Sequence, residues 1–215
     1  MVAVAVTVRQ YLPADREAVR QICCDTADRG EPVEHFFRDR DVFADLLLRY
    51  YLEDEPRSTW IATCDGRVVG YLTGCLESRR YRRVMAWRIV PAAVMTAVGR
   101  GTLGHPQTWT LLTEGAAVWL RGGFEQRVPS LLYPAHLHVN VREGFRGHAV
   151  GRMLIERFCE QAATAHAAGV HAIVREDNPT ACAFFERLGF VQVSRHPTTL
   201  FTGSLHDTII YGKQL

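Results

Sequence analysis

The segment Arg146-Gly147-His148-Ala149-Val150-Gly151-Arg152 carries the clearest anion-binding chemistry in this sequence. A strand is predicted before it and a helix after it, so unpaired backbone N–H groups and the helix dipole would favour a phosphate there. Gly147 and Gly151 would allow a close approach of the backbone to a ligand, and Arg146 and Arg152 add positive charge. The same glycines also suit a plain tight turn.

Two histidines form a second candidate site, in the stretch His136-Leu137-His138-Val139-Asn140-Val141. Alternation places both on the polar face of a predicted strand. An imidazole pKa near 6.5 suits a general base at neutral pH, although hydrogen-bonded structural histidines show the same pattern. A metal site would need a third ligand that we do not identify, so we expect no metal. Asp177 and Glu176 are fallback bases.

The elements around these residues predict an α/β fold with a mixed sheet. In the N-terminal part we predict a strand at 4–9, a helix opening at Pro13-Ala14-Asp15, a helix over Asp41 to Tyr51, and a hairpin of 59–64 and 67–72 around Asp65-Gly66. In the C-terminal part we predict strand 136–141, a helix from Val150 to Ala168 ended by Gly169, strand 171–175, a helix capped by Asn178 and Pro179 and closed by Gly189, and strands at 190–193 and 207–211.

The C-terminal half resembles the GCN5-related N-acetyltransferases. Two of their motifs occur in order and at the usual separation, the loop 146–151 and the segment from Asn178 to Leu188-Gly189-Phe190. The strong match covers about residues 135–193. The phrase 136–141 looks most like a bacterial subgroup related to the acetyltransferase-like domain of some animal O-GlcNAc hydrolases.

The resemblance implies a role for each matching position. The backbone amides of 147–152 would hold the CoA pyrophosphate, the strand edge at Val139 and Val141 would pair with the pantetheine arm, and Asn178 would bond to that arm. His138 would be the preferred base because it is nearer the point where family members open the sheet at the thioester. We expect that opening between the strands near 139 and 173.

Two positions depart from the family pattern. Ala149 stands where the loop usually has its first glycine, which is tolerable if that residue keeps a negative φ. Phe185, expected beside the thioester, stands where the family usually has a tyrosine that protonates the leaving thiolate. Phenylalanine cannot donate a proton, so we expect weaker catalysis than a tyrosine would support.

Acceptor recognition is assigned by the same resemblance to the segment from Asp25 to Tyr51 and to a helical insertion at about 77–130. A lid, an oligomer contact and a membrane-surface segment are alternatives for that insertion. Glu31, Glu34 and Tyr51 would meet a cationic amine, although charges in this segment also fit a solvated face. The exposed apolar parts of 84–120 would suit a homodimer.

Bulk properties bound the remaining classes of function. The chain has 215 residues, 47% hydrophobic content and a formal charge of +2, which predict one domain and argue against nucleic-acid binding. Six cysteines without paired spacing indicate reduced thiols in a cytoplasmic protein, and no transmembrane segment is expected.

The sequence therefore predicts an acyltransferase that moves an acetyl or other acyl group from acyl-CoA to an amine. Three alternatives remain: a weak or inactive acyl-CoA-binding module, a scaffold that has lost CoA, and a nucleotide-binding enzyme. The last is disfavoured because this sequence has no acidic residue after a strand at the position expected to bind the ribose.

Overall fold

A seven-stranded mixed sheet organises the computed structural model, which describes residues 5–101, 128, 129, 131–198 and 206–215. The strands are β1 (Val6–Gln10), β2 (Thr59–Cys64), β3 (Arg67–Cys75), β4 (Ala135–Val141), β5 (Gly169–Arg175), β6 (Val191–Thr198) and β7 (His206–Gln214). Their spatial order is β1-β2-β3-β4-β5-β7-β6. Only the β4–β5 pair is parallel among these neighbours. The predicted α/β class with a mixed sheet is confirmed.

Helices cover both faces of this sheet. They are α1 (Arg16–Asp25), α2 (Arg40–Arg49), α3 (Ser78–Val84), α4 (Val90–Gly99), α5 (Val150–Thr164) and α6 (Pro179–Arg187). The side chains of α5 and α6 pack with Leu72 and Leu137 on one face, while α1 and α2 pack with Ile61 and Tyr71 on the other. The strand and helix boundaries agree with the predicted elements to within a few residues, apart from the differences below and from β6, which ends at Thr198 rather than at the predicted 193.

The start of α1 is tied to the first strand by a buried carboxylate. Pro13–Asp15 form a 3₁₀ turn before the helix. Both carboxylate oxygens of Asp15 accept from Arg9 of β1 at 2.7 Å, and Asp15 also accepts from the Leu12 amide at 2.8 Å. This arrangement fixes where the chain turns from strand to helix.

The predicted hairpin is present, but β3 runs three residues beyond the expected 67–72. Asp65 and Gly66 take the positive φ values of 48° and 74° that the tight turn requires. Strand β3 continues because its later residues pair with β4. At Gly74 a Cβ would lie 2.1 Å from the Phe158 ring of α5, so a side chain there would exclude that ring.

Helix α5 ends at Thr164 rather than at the predicted Ala168. The chain turns through His166, whose φ is +59°. Gly169 does not end the helix; it begins β5, where a Cβ would lie 2.4 Å from the Leu132 carbonyl oxygen. The glycine was a misleading signal because close packing between strands, not helix termination, requires it.

The capping prediction for α6 is confirmed. Asn178 Oδ1 accepts from the Ala181 amide at 3.1 Å, Pro179 is the first helical residue, and Gly189 has a φ of +80°. At the other end Lys213 Nζ donates to the Leu188 carbonyl at 2.8 Å and lies 5.8 Å from the centre of the Phe190 ring. The helix is thereby fastened at both ends.

Residues 78–99 are helical throughout, because a π-helical turn at Met85–Ile89 joins α3 to α4. This agrees with a helical character for the first part of the predicted insertion at 77–130. Residues 102–127 and 130 of that prediction lie outside the described residues. In the part of the chain that the structure describes, no helix has both the length and the apolar character needed to cross a membrane.

Candidate functional site

The central feature of the site is a split between β4 and β5. These strands are in register only at Ala135–Val170 and His136–His171, and beyond those two pairs they separate. His138 on β4 and Ile173 on β5 are solvent-exposed although both belong to inner strands of the sheet. The predicted opening between the strands near 139 and 173 is confirmed, and it forms a cleft.

One wall of this cleft is an unpaired strand edge. The Arg142 amide donates to Val69 O on β3 at 2.9 Å. Because backbone groups alternate along a strand, the amides and carbonyls of Val141 and Val139 point away from β3 and towards the gap. Val141 O accepts from Arg146 Nε at 3.1 Å. The edge therefore offers the donors and acceptors that an extended, amide-containing chain would use.

The loop between β4 and α5 presents a row of free backbone amides. Among the described residues, the first backbone hydrogen bond of α5 runs from Met153 N to Ala149 O at 3.0 Å. The amides of residues 147–152 donate to no described backbone carbonyl. Gly147 has a φ of +80°, so the loop needs a glycine there. The row at the start of a 15-residue helix suits an anion.

Ala149 does not keep the negative φ that was expected; its φ is +59°. The residue is the N-cap of α5, and the left-handed conformation turns the chain into the helix. An alanine in this conformation is strained by about 1 to 2 kcal/mol. The departure from glycine therefore costs stability, while the Ala149 amide remains available.

The basic side chains of the loop are engaged elsewhere. The Arg146 guanidinium lies against Gly30, where a Cβ would be only 2.6 Å from Nη1. Arg152 Nε donates to Glu156 at 2.6 Å on the surface of α5. His148 Nδ1 lies 3.0 Å from the Arg146 carbonyl oxygen, and Val150 is buried. The anion-binding character of the loop thus rests on its amides.

His136 is a buried histidine with both ring nitrogens hydrogen-bonded. Nε2 lies 2.8 Å from Tyr51 Oη and Nδ1 lies 2.8 Å from Ser78 Oγ. Burial, followed by the neighbouring His171 and His138 and by Arg82, holds its pKa well below the usual value. In this arrangement His136 has no open nitrogen facing the cleft.

His138 differs from it in being accessible. Its side chain reaches solvent at the floor of the cleft, while protein surrounds it on the other sides. That desolvation lowers its imidazole pKa. His138 is therefore in its neutral, proton-accepting form at neutral pH. Of the two predicted bases, His138 is the one that the cleft exposes.

The two fallback carboxylates are paired with cations. Asp177 binds Arg175 through contacts of 3.0 and 2.6 Å, and Glu176 forms an ion pair with Arg195 at 2.6 Å. Asn178 uses its side-chain oxygen to cap α6. Only its Nδ2 group is left for a ligand.

Phe185 is buried in the core that α5 and α6 share with the sheet. Its ring is stacked on that of Tyr211 at 6.1 Å and packs edge-on against Phe190 at 5.2 Å. The position has no hydroxyl to offer, as the sequence indicated. Packing alone explains the residue in this structure.

A tight turn covers the end of the cleft. Asp28 and Glu31 form a β-bridge, and Arg175 Nη1 of β5 donates to Asp28 at 3.0 Å. Arg29 lies 3.5 Å from Asp177, and Asn140 of β4 donates to Thr26 at 2.7 Å. The segment between α1 and α2 is thus attached to both strands of the split. The sequence analysis identified this segment but not the ion pair of Asp28 with Arg175, because nothing local links residues so distant in the chain.

The predicted acceptor residues are not brought together. Glu31 is exposed and lies 3.9 Å from His35, and Glu34 binds Arg40 at 2.7 Å. Tyr51 is 6% exposed, with its hydroxyl on His136. Of the three, Glu31 at the turn is the most accessible to a ligand.

A cavity of about 860 Å³ lies away from this cleft. It is bounded by α1, α2, the segment that joins them and Arg100, and its arginines are largely paired with neighbouring carboxylates. None of its lining residues belongs to β4, β5 or the amide loop. Among described residues, no cluster of three or more metal-ligating side chains occurs.

Comparison with known proteins agrees with this geometry. Residues 130–190 match the model of the Acetyltransferase (GNAT) family, a stretch that contains β4, the amide loop, α5, β5 and α6. A crystal structure of SsHAT is 26% identical, covers 98% of both chains and superposes with a TM-score of 0.75.

Two further structures share the fold. A GCN5-related N-acetyltransferase from Kribbella flavida is 16% identical over 98% of each chain, with a TM-score of 0.59. The protein yncA from Salmonella typhimurium, solved with its cofactor acetyl-CoA, is 18% identical with a TM-score of 0.59, covering 98% of this chain and 94% of that one. The described sheet and helices therefore form the GNAT fold.

Proposed function

We propose that this protein transfers an acetyl or other acyl group from acyl-CoA directly to an amine acceptor, both being bound at once. The observation that carries the proposal is the split between β4 and β5, whose open edge meets the row of free amides at the start of α5. A cleft with an amide-binding edge at one end and an anion-binding loop at the other matches the chemistry of a pantetheine diphosphate.

We assign residues of the cleft to the parts of acyl-CoA. The amides of Gly147, His148, Ala149, Val150, Gly151 and Arg152 would hold the pyrophosphate, and Arg146 would add charge after releasing Val141. Val139 and Val141 would pair with the pantetheine arm, Asn178 would donate to it through Nδ2, and Phe185 would flank the thioester. Bound acyl-CoA supplies an activated acyl group and a thiolate that leaves readily.

His138 is the proposed base. An acceptor amine must lose a proton to attack, and a neutral imidazole at the floor of the cleft accepts one. His136 would act behind it, since both its nitrogens are bonded to Tyr51 and Ser78. Glu31 remains our proposed contact to the acceptor amine. Tyr51 would support the same side of the cleft through its hydrogen bond to His136.

We place the protein in the cytoplasm as a single domain over 1–215 with an insertion at about 77–130, acting without a metal. Its subgroup would be the bacterial one related to the domain attached to O-GlcNAc hydrolases, supported by the phrase 136–141.

Calorimetry with acetyl-CoA tests the cofactor site. Gly151→Glu puts bulk and negative charge among the free amides, and we expect the micromolar binding of the wild type to fall about 100-fold or more. Gly151→Ala is the matched control, because its Cβ meets only the Phe184 ring, at 3.0 Å. Failure of the wild type to bind acetyl-CoA would refute the proposal.

A second candidate function is an acyl-CoA-binding module with little or no turnover. Phe185 favours it, because a buried phenyl ring cannot protonate the thiolate. Loss of a general acid lowers the rate by about 10²- to 10⁴-fold at most, and water can replace it. Acyl transfer to any member of a broad amine panel would support the enzyme, and binding without transfer to all of them would support the module.

A further inference from the structure

Thr73 on β3 has a hydroxyl group that the fold buries without satisfying. The residue is 0% exposed, and its Oγ1 has no hydrogen-bond partner among the described residues. A buried hydroxyl without a partner costs about 1 to 3 kcal/mol. Such a group on the strand that pairs with β4 calls for an explanation in terms of a partner that it meets.

The strand register places Thr73 beside the proposed base. Thr73 is the direct cross-strand neighbour of His138, so both side chains lie on the same face of the sheet. Cβ atoms of such neighbours are about 5 Å apart. On its other side Thr73 is opposite Thr59, whose hydroxyl already donates to the Tyr51 carbonyl at 3.3 Å. Neither cross-strand neighbour hydrogen-bonds the Thr73 hydroxyl among the described residues.

His138 is the histidine of this cluster with no described hydrogen bond at either ring nitrogen. His136 uses both nitrogens, and His171 Nδ1 lies 3.0 Å from the Tyr133 carbonyl oxygen. The ring of His138 contacts that of Tyr71 on β3, with centroids 6.4 Å apart. An orphaned hydroxyl and an unoriented imidazole therefore lie next to each other.

Among the described residues, the other titratable groups near His138 do not hydrogen-bond its imidazole. The elements around His138 contribute His136 on β4, Tyr71 on β3, Cys23 on α1, His171 and Arg175 on β5, and Asp28 and Arg29 on the turn. The carboxylate of Asp28 is bound by Arg175 at 3.0 Å. No described carboxylate hydrogen-bonds His138 in the way that orients many catalytic histidines.

We propose that Thr73 is the positioning residue for His138, accepting the N–H of one imidazole nitrogen, directly or through one water, so that the other nitrogen faces the acceptor amine. This inference rests on the proposed function for its catalytic meaning. The tautomer and orientation of His138, however, are properties of the protein itself and are measurable without turnover.

Nitrogen-15 NMR of the imidazoles tests the proposal directly. Thr73→Val keeps the shape of the side chain and removes the hydroxyl, and Thr73→Ser keeps the hydroxyl. We expect one dominant His138 tautomer in the wild type and in Thr73→Ser, and a mixture of tautomers in Thr73→Val. A hydrogen bond accepted from the imidazolium favours the charged form, so its loss should move the His138 titration to lower pH.

Internal references make the outcome unambiguous. His138→Gln assigns the resonance, and the signals of His136 should not move because its partners are Tyr51 and Ser78. An unchanged tautomer and titration of His138 in Thr73→Val would overturn the proposal. So would a Thr73→Ser variant that behaves like Thr73→Val. If Thr73→Val folds poorly, Thr73→Ala against Thr73→Ser repeats the comparison.

Activity provides a second readout. We expect Thr73→Val to lower kcat about tenfold or more, with unchanged acetyl-CoA affinity and an acid limb of the kcat/KM profile at lower pH. Calorimetry decides the proposed function separately: a wild type that does not bind acetyl-CoA refutes that function, whereas the NMR result decides the role of Thr73.

Discussion

Ala149 shows how one side chain can oppose the loop that contains it. A φ of +59° suits glycine, yet the turn from the amide loop into α5 imposes it on an alanine. The conformation persists because Val150 is buried at the start of the helix and the Met153 amide closes onto the Ala149 carbonyl. The surrounding contacts outweigh the local strain.

Replacing Ala149 by glycine should therefore stabilise the protein. We expect Ala149→Gly to raise the free energy of unfolding by up to about 1 kcal/mol, since relief of the left-handed strain exceeds the added flexibility of the unfolded chain. Chemical denaturation measures the change. Ala163→Gly, an exposed position of α5, is the matched control and should destabilise by up to about 1 kcal/mol. Destabilisation by both variants would contradict the strain argument.

For single residues, the sequence predicted which side chains share a face of a strand but not which of them are accessible to a ligand. Alternation correctly placed His136 and His138 together, opposite Leu137 and Val139. It could not show that His136 is closed off, because Tyr51 and Ser78 reach it from distant parts of the chain. Thr73 escaped notice for the same reason, since its importance comes from its cross-strand neighbour.

Among the elements, β1 and α1 depend on one buried carboxylate for their junction. Burial tends to raise the pKa of Asp15, but the hydrogen bonds from Arg9 and from the Leu12 amide, with the charge of Arg9, outweigh it and lower the pKa. A lowered folded-state pKa stabilises the fold above the ordinary aspartate range. That stabilisation is lost as the pH falls through the folded-state pKa.

The Asp15→Asn variant should show this pH dependence. We expect it to lose about 1 to 2 kcal/mol at neutral pH, allowing for the partial exposure of Arg9, and to approach the wild type in acid. Denaturant unfolding at a series of pH values measures the difference. Asp65→Asn, at the hairpin tip, should change stability by less than about 0.5 kcal/mol. If the difference in unfolding free energy between Asp15→Asn and the wild type stays constant into acid, the lowered pKa of Asp15 is not its cause.

Element boundaries were predictable where a local cap sets them and not where packing does. The start of α6 follows from Asn178 and Pro179, and the structure has it there. The end of α5 was misjudged because Gly169 serves β5, where Leu132 and Lys213 approach too closely for a side chain. A glycine in sequence does not reveal which of these demands it meets.

On the scale of the whole molecule, the helical segment 85–99 carries an exposed apolar stripe. Trp87 in the π-helical turn and Met95 in α4 are 82% and 69% exposed, and Val90 and Val98 of α4 are also exposed. Exposed apolar area of this kind is common at contacts between protein chains. The homodimer expected from the sequence remains a prediction, and this stripe is the surface that we assign to it.

Sedimentation velocity over a range of concentrations checks that assignment. We expect the wild type to self-associate and Trp87→Arg to remain monomeric, because a charge at the centre of an apolar contact is costly to bury. Val191→Arg, on edge strand β6, is the control for adding a charge at an exposed apolar residue and should associate like the wild type. A wild type that stays monomeric throughout would remove the stripe as an interface.

The overall architecture was more predictable than the way in which its distant parts meet. The motifs between 135 and 193 indicated β4, the amide loop, β5 and the opening between those strands, since all are formed by neighbouring segments. The turn at 28–31 lies on this region through Asp28 and Arg29, with their partners Arg175 and Asp177, and through Gly30 against Arg146. Such contacts depend on tertiary geometry, and no local pattern encodes them.

The fastening of α6 by Lys213 has a consequence for any assay of acyl transfer. Lysine occurs once in the whole sequence, and all other strongly basic side chains are arginines, which stay protonated and do not accept acyl groups. The one lysine amine is directed at the Leu188 carbonyl and covered by Phe190. Under the proposed function the protein would offer activated acyl groups almost no lysine of its own, so acyl-lysine in a reaction mixture would report on the acceptor rather than on self-modification.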